Sequence, residues 1–322
     1  MDVRVRTSMT APLVAALGWA LVAALTLPGA ATASAPASSA AVVGASASPS
    51  ERQGQVPAAS QAATRLRVVD HNIEKRTSAL DRAVAAARKT AAEVILLQEV
   101  CWWQAEDLIR RHPAWTISYK AERDNDRCQR RGYRGDTFVA GRRKVGNIAI
   151  WTGGPRGVTS GHTFRHQRTK DDRTGLACVA WVQGARHRAC SVHLISPTDA
   201  EETRVRTGQA RDIRAITNPW LDHDDLVVLG GDFNAQPRRR TMEYVYELGG
   251  AGRFRESSTH RLGGRDCRCV QITGDGGRPK VDYIFFSANR TEQRAYRALR
   301  IVKTSSDHHL LLGWADVDGS AR

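Results

Sequence analysis

Eight side chains of the kinds that handle metal ions, water and phosphorus are spread along the 322 residues: Asn72, Glu99, His193, Asp232, Asn234, Asp282, Asp307 and His308. Carboxylate and amide oxygens are hard ligands. Magnesium prefers one or two carboxylates and keeps waters that phosphate oxygens can replace. Glu99 and Asp307, with Asn72 assisting, suit that role. Glu99 directly follows the run Val94-Ile95-Leu96-Leu97-Gln98, so its backbone lies near a core, and an acid there needs a partner.

The run Gly230-Gly231-Asp232-Phe233-Asn234 is more specific. Two glycines permit a tight turn and close backbone approach. Asp232 and Asn234, two apart, face one way in extended backbone. The acid can orient water, and the amide can donate to a phosphoryl oxygen without adding negative charge. The competing reading is an Asx-turn pair at a strand end. In Ser306-Asp307-His308-His309, an imidazole sits beside an acid. A carboxylate on one ring nitrogen fixes the tautomer and raises basicity, and Asp282 is the candidate for it. His308 so held could deprotonate an attacking water. His193 could protonate the leaving oxygen or stabilise the pentavalent transition state, although a lone histidine is more often a satisfied core residue. His309 reads as structural.

These residues need rigid elements to bring them together. The chain alternates short apolar runs with helical and loop stretches, as a mixed α/β enzyme does. Strands are expected at Leu66–Asp70, Val94–Leu97, Asn147–Trp151, Leu226–Leu229, Val281–Phe286, Arg300–Val302 and Leu310–Trp314. Ser78 should cap one helix. Thr198 and Glu201 should form a capping box for another, reaching about Ile216. Each polar residue then falls at a strand end, where backbone is rigid and side chains face open space.

Arg4 and Arg6 precede an uncharged Ala/Leu/Val run over residues 11–27, then Pro28-Gly29 and Ala31-Thr32-Ala33. This pattern reads as a secretory signal peptide over residues 1–33. Residues 34–64, rich in Ala, Ser and Pro, read as a disordered leader, and residues 65–322 as the catalytic domain. Six cysteines fit an exported protein. Cys178 and Cys190 are equidistant from Gly184 and face each other across a hairpin of Ala177–Val182 and Arg188–Val192. Cys101–Cys128 would staple a basic loop. Cys267 and Cys269 remain, and bridging them across one residue would be strained.

The net charge of +15 draws a protein to polyanions. Residues 120–144 read as a basic loop. It holds Arg130, Arg131, Tyr133 and Arg134 as candidate substrate contacts, with Glu122 among its few acids.

Taken in order, Asn72, Leu97-Gln98-Glu99, Ser191-Val192-His193, Gly231-Asp232-Phe233-Asn234, Val281-Asp282-Tyr283 and Ser306-Asp307-His308 resemble the endonuclease/exonuclease/phosphatase superfamily. That group includes deoxyribonucleases, abasic-site endonucleases, sphingomyelinases and inositol polyphosphate phosphatases. The resemblance spans residues 66 to 314. It implies an α/β (α+β) fold: a four-layer sandwich of two mixed β-sheets packed face to face with helices outside. It also implies Glu99, Asn72 and Asp307 around a Mg2+ ion, with Mn2+ or Ca2+ as alternatives. His193, Asp232, Asn234, Asp282 and His308 become the catalytic set. The expected protein is a secreted monomeric phosphodiesterase, without stable membrane insertion once the signal is cleaved, acting on nucleic acid and on DNA in particular. A phospholipid or inositol-phosphate phosphohydrolase is the enzymatic alternative, with Trp102-Trp103 the nearest thing to a bilayer-seeking tip. A non-catalytic binding module is the third reading.

Overall fold

The computed structural model of the chain describes residues 64–128, 143–183, 185–257, 273–277 and 279–317, with the backbone alone for residues 292–299. The expected signal peptide, most of the leader, Arg130, Arg131, Tyr133, Arg134, Cys267 and Cys269 lie outside the described residues. The chain runs β1 (Thr64–Asn72), α1 (Thr77–Thr90), β2 (Val94–Cys101), α2 (Trp102–Arg111), β3 (Thr116–Asp124), β4 (Lys144–Trp151), β5 (Val158–Thr163) and β6 (Gly175–Gln183). It continues through β7 (Ala185–His193), α3 (Ala200–Asp222), β8 (Leu226–Asp232), β9 (Phe254–Glu256), β10 (Asp282–Ser287), β11 (Thr291–Val302) and β12 (Leu310–Val317).

Two six-stranded sheets form, ordered β11-β12-β1-β2-β4-β3 and β5-β6-β7-β8-β10-β9. Both are mixed: β1 runs parallel to β2 and β7 parallel to β8, while their other neighbours are antiparallel. Side chains alternate across a strand, and the alternation sorts the core. Val68, Leu96 and Ala149 of the first sheet meet Val179, Val228 and Phe286 of the second. Val69, Ile95 and Ile148 point the other way, onto Leu80 and Val84 of α1 and Leu108 of α2. Ile213 and Leu221 of α3 cover Val227, Leu229 and Phe285 on the outer face of the second sheet. The result is the expected four-layer sandwich.

Several local expectations shift. Ser78 does not cap α1; its hydroxyl bonds that of Ser305 at 2.7 Å, and the helix begins after Arg76 without a side-chain cap. The N-cap of α3 lies one residue on, at Asp199, and no reciprocal capping box forms with it. Asp199 accepts from the Glu202 amide at 2.8 Å, and Glu202 Oε2 accepts from the Thr198 amide at 2.7 Å. That helix also passes Ile216 and carries Pro219 to end at Asp222. Lys120–Asp124 belongs to β3 and Lys144 to β4, so the basic segment is less loop than its composition suggests. Trp102 and Trp103 open α2. Trp102 meets Tyr119 edge-on at 5.0 Å, and Trp103 packs on Cys101, Cys128 and Val145, so neither forms a protruding apolar tip.

The disulfide expected from hairpin spacing, Cys178–Cys190, is formed, and so is Cys101–Cys128, for which the sequence offered no geometric ground. The second ties the end of β2, two residues past Glu99, to the short 3-10 turn Asp126–Cys128. No helix among the described residues is long and apolar enough to cross a membrane.

Candidate active site

One edge of the sandwich gathers the chemistry. Asn72 ends β1, Glu99 lies near the end of β2, His193 ends β7, Asp232 ends β8, Asp282 opens β10 and His308 lies just before β12. Registers pair Asp282 and His193 with Asp232, from either side of β8. Gly230 and Gly231 are part of β8 rather than a turn. A Cβ at Gly231, whose φ is +143°, would stand 1.9 Å from the Val192 carbonyl oxygen. Glycine there lets β7 and β8 close up behind Asp232.

The rings of both histidines converge on a single carboxylate oxygen. His193 Nε2 is 3.7 Å and His308 Nε2 3.6 Å from Asp232 Oδ2. Asn72 Nδ2 donates to the same oxygen at 3.2 Å. Behind His308, Nδ1 sits 3.0 Å from each oxygen of Asp282. Asp232, Asp282 and His308 offer ligand atoms all within 4.8 Å of one another.

The electrostatics separate the two rings. Burial alone would lower His308, but the charges of Asp282 and Asp232 and the hydrogen bond to Asp282 outweigh it, raising the ring to about 10. Burial dominates at His193 and brings it down to about 4, with Asp232 only partly opposing. Asp232 is itself raised, by burial first and by Asp282, against the pull of His308 and His193. Near neutral pH His308 is therefore protonated and His193 is not. The sequence alone suggests proton removal by His308 and donation by His193; in this environment His308 holds its proton more tightly than His193 does.

Asn234 is not extended. Its φ is +48°, its amide N–H donates to Asp232 Oδ1 at 2.8 Å, and its Nδ2 donates to the Leu194 carbonyl at 2.9 Å. This is the Asx-turn geometry. It braces Asp232 and links it to the end of β7, so the two side chains do not simply face one way.

Glu99 has φ +55° and sits where the β2–β4 register shifts between Leu97 and Val100. The bulge turns its side chain out of the ladder, onto the ammonium of Lys75. Burial, with Arg127 next in effect, lowers Lys75 to about 8, so the contact is an ion pair at neutral pH. The Asp307 carboxylate is also close enough for Lys75 and Arg76 to feel its charge. A carboxylate in this position draws a cation to itself. Glu99 and Asp307 are hard-oxygen donors of the type a divalent ion takes, but the described side chains whose ligand atoms converge are Asp232, Asp282 and His308. Asn72 is committed in part, its Oδ1 accepting from the Glu74 amide at 3.1 Å.

Two acids escaped the sequence reading. Glu122, counted there among loop charges, is buried on β3 with Oε2 3.9 Å from His193 Nδ1. Asn147 Nδ2 donates to its other oxygen at 2.8 Å. Burial raises Glu122 to about 8. The available signal was period two, since Thr116, Ser118 and Glu122 share one face of that strand. Asp70 lies beneath the cluster, fully buried and accepting from Gln98 Nε2 at 3.0 Å. Burial and then Asp282 hold it far above the usual carboxylate range. His71 faces away from the site; its Nε2 is 3.0 Å from the Thr304 hydroxyl. His309 pairs with Asp275 at 3.2 Å. A cavity of about 300 Å3 opens at Glu99, Glu122, Arg123, Arg173 and His193.

The chain belongs to the Endonuclease/Exonuclease/phosphatase family, whose model matches residues 70–308. Members are typically hydrolases of phosphoester bonds. No curated protein matches the sequence. Among solved structures, the human Nocturnin catalytic domain with bound sulfate is similar at 15% identity and TM-score 0.56, covering 79% of this chain and 94% of that one. D. rerio TDP2 complexed with single strand DNA product is similar at 14% identity and TM-score 0.53, covering 78% and 98%. An endonuclease/exonuclease/phosphatase from Beutenbergia cavernae DSM 12333 is similar at 17% identity and TM-score 0.52, covering 79% and 72%. Likeness at this identity speaks for the fold.

Proposed function

We propose that the protein is a secreted, divalent-metal-dependent phosphodiesterase that cleaves nucleic acid, DNA in particular, by in-line attack of water on phosphorus. The carrying observation is the convergence of two imidazoles on Asp232 Oδ2. A phosphodiester needs one group to take a proton from water and one to give a proton to the leaving oxygen. His193, neutral, serves as the acceptor. His308, held by Asp282, serves as the donor. Asp232, braced by Asn234 and Asn72, sets the distance between them. A divalent ion on Glu99 and Asp307 would neutralise charge developing on the phosphoryl oxygens.

Support for nucleic acid comes from the net charge of +15 and from a TDP2 neighbour solved with a single strand DNA product. Support for export comes from the N-terminal pattern, and from two disulfides of the kind that persist outside the cytosol. The domain division stays as residues 1–33 signal, 34–64 leader and 65–322 catalytic domain, acting as a monomer.

The test offers purified protein plasmid DNA, RNA and sphingomyelin side by side, with Mg2+ and with a chelator in excess. Nicking of DNA that stops under chelation is the expected result. Lipid hydrolysis with plasmid intact would move the assignment to a phospholipid phosphohydrolase, and undiminished cleavage under chelation would remove the metal.

A further inference from the structure

Beyond the imidazole cluster, a cavity of about 980 Å3 opens between the first half of α3 and the 3-10 turn Arg240–Tyr244. Its wall carries Arg204, Arg206, Arg211, Arg239 and Arg240. The one acid in the lining, Glu201, is already paired with Arg204. Among the described residues, none of the other four guanidinium groups has a carboxylate partner. A cavity lined this way is short of negative charge.

Arg206 makes the case sharper. Only 8% of it is exposed. Its Nη1 donates to the Asn234 carbonyl, while its Nε has no partner in the protein. Burial and then the charge of Arg239 act against the charge of Arg206, and the Asp232 carboxylate, with no ion pair to it, only partly offsets them. Two like charges, one of them buried, are expensive without an anion between them. Arg211 is steadied over the Tyr244 ring at 5.0 Å, and the Thr207 and Thr241 hydroxyls, 3.1 Å apart, join the two walls. The floor is Asn234 and Ala235, immediately after Asp232, so this cavity begins where the candidate active site ends.

We infer that the arginine cavity is a second phosphate site, taking a non-reacting backbone phosphate of the same nucleic-acid strand whose phosphodiester lies at Asp232, His193 and His308. The inference rests on the nuclease reading above. Planar guanidinium forks match phosphate oxygens in pairs, and contacts to non-reacting phosphates position a strand without reading its sequence. Through the Arg206–Asn234 contact, a phosphate held here would also steady the loop that braces Asp232.

The experiment measures binding under chelation, so that nothing is turned over. A fluorescently labelled single strand of about twelve nucleotides, within the usual range of site sizes, is titrated with the full chain and followed by anisotropy at several salt concentrations. Arg239→Ala/Arg240→Ala removes two exposed side chains and leaves the core intact. It should weaken binding about tenfold at moderate salt and lower the salt slope by about one to two phosphate contacts. A charge-matched control, Arg82→Ala/Arg88→Ala, lies on α1 against the other sheet and should change binding less than about twofold. Equal weakening by both pairs, an unchanged salt slope, or binding of anionic phospholipid vesicles in place of the strand would overturn the site. A protein that binds through these arginines yet never cleaves would sink the nuclease reading alone. One that cleaves DNA and binds as well without them would sink the second site alone.

Discussion

His308 and His193 stand equally close to Asp232 Oδ2, and each has a buried carboxyl behind its ring, yet they end in opposite charge states. Asp282 lies 3.0 Å from His308 Nδ1 through both oxygens. Glu122 lies 3.9 Å from His193 Nδ1, beyond hydrogen-bond reach, and burial pushes its own value to about 8. Below that pH Glu122 carries no charge with which to hold a proton on His193. The same residue types thus yield a donor in one place and an acceptor in the other. What decides is a contact distance and the depth of the acid, not the presence of an acid–histidine pair.

The contrast can be broken most severely at Asp282. Asp282→Asn keeps the shape and removes the charge that holds the His308 proton. Cleavage should fall by about 10³–10⁴-fold, on the scale of losing a general acid. The alkaline limb of the pH–rate profile, expected near 10 in the wild type, should move down towards neutrality. A wild-type rate that climbs rather than falls as pH rises through 10 would return the base to His308. Next in size is His193→Gln. It should cost about 10²–10³-fold and abolish the acid limb near 4 while leaving the alkaline limb in place. Loss of both limbs together would mean that the rings titrate as one unit.

The smallest effect, and the one that sharpens the contrast, is Glu122→Gln. The folded value of Glu122, about 8, exceeds its ordinary 4.5. The native state therefore keeps a proton that the unfolded chain has released, and stability declines as pH climbs from about 4.5 towards 8. Glutamine mimics the protonated acid. Activity at neutral pH should drop less than about tenfold, and the decline of the melting temperature over that interval should become shallower, the remainder belonging to Asp70 and Asp232. A decline as steep in the variant as in the wild type would remove Glu122 from it.

Much of this edge was legible because catalytic side chains here follow apolar strands. Asn72, Glu99, His193, Asp232 and Asp282 each adjoin a run that could only be a buried strand, and their order along the chain carried the family. The sandwich itself was implied by that resemblance and not by the residue pattern of any one strand. Side-chain orientation was less legible. Asn234 looked like a free donor and is instead an Asx-turn brace, because a left-handed φ leaves little mark on residue type when the residue is Asn. Glu122 sits among Lys120, Arg123 and Asp124, so composition marked it as solvated, while pairing of β3 with β4 buried it. α2 was missed, with Trp102-Trp103 weighed only as the nearest candidate for an apolar tip; its apolar face needs the Tyr119 ring and the cystine beside it to make sense. The Lys75–Glu99 contact depends on a bulge that only the β2–β4 register reveals.

The Cys101–Cys128 bridge has a consequence for timing. It clamps the strand two residues beyond Glu99, and the residue before Cys128, Arg127, reaches Glu74 at 3.6 Å beside Lys75. On the proposed secretory route, a chain still in the reducing cytosol has two thiols there and no clamp on the strand end that carries Glu99. On that route this end would become tied down only after oxidation outside the cytosol.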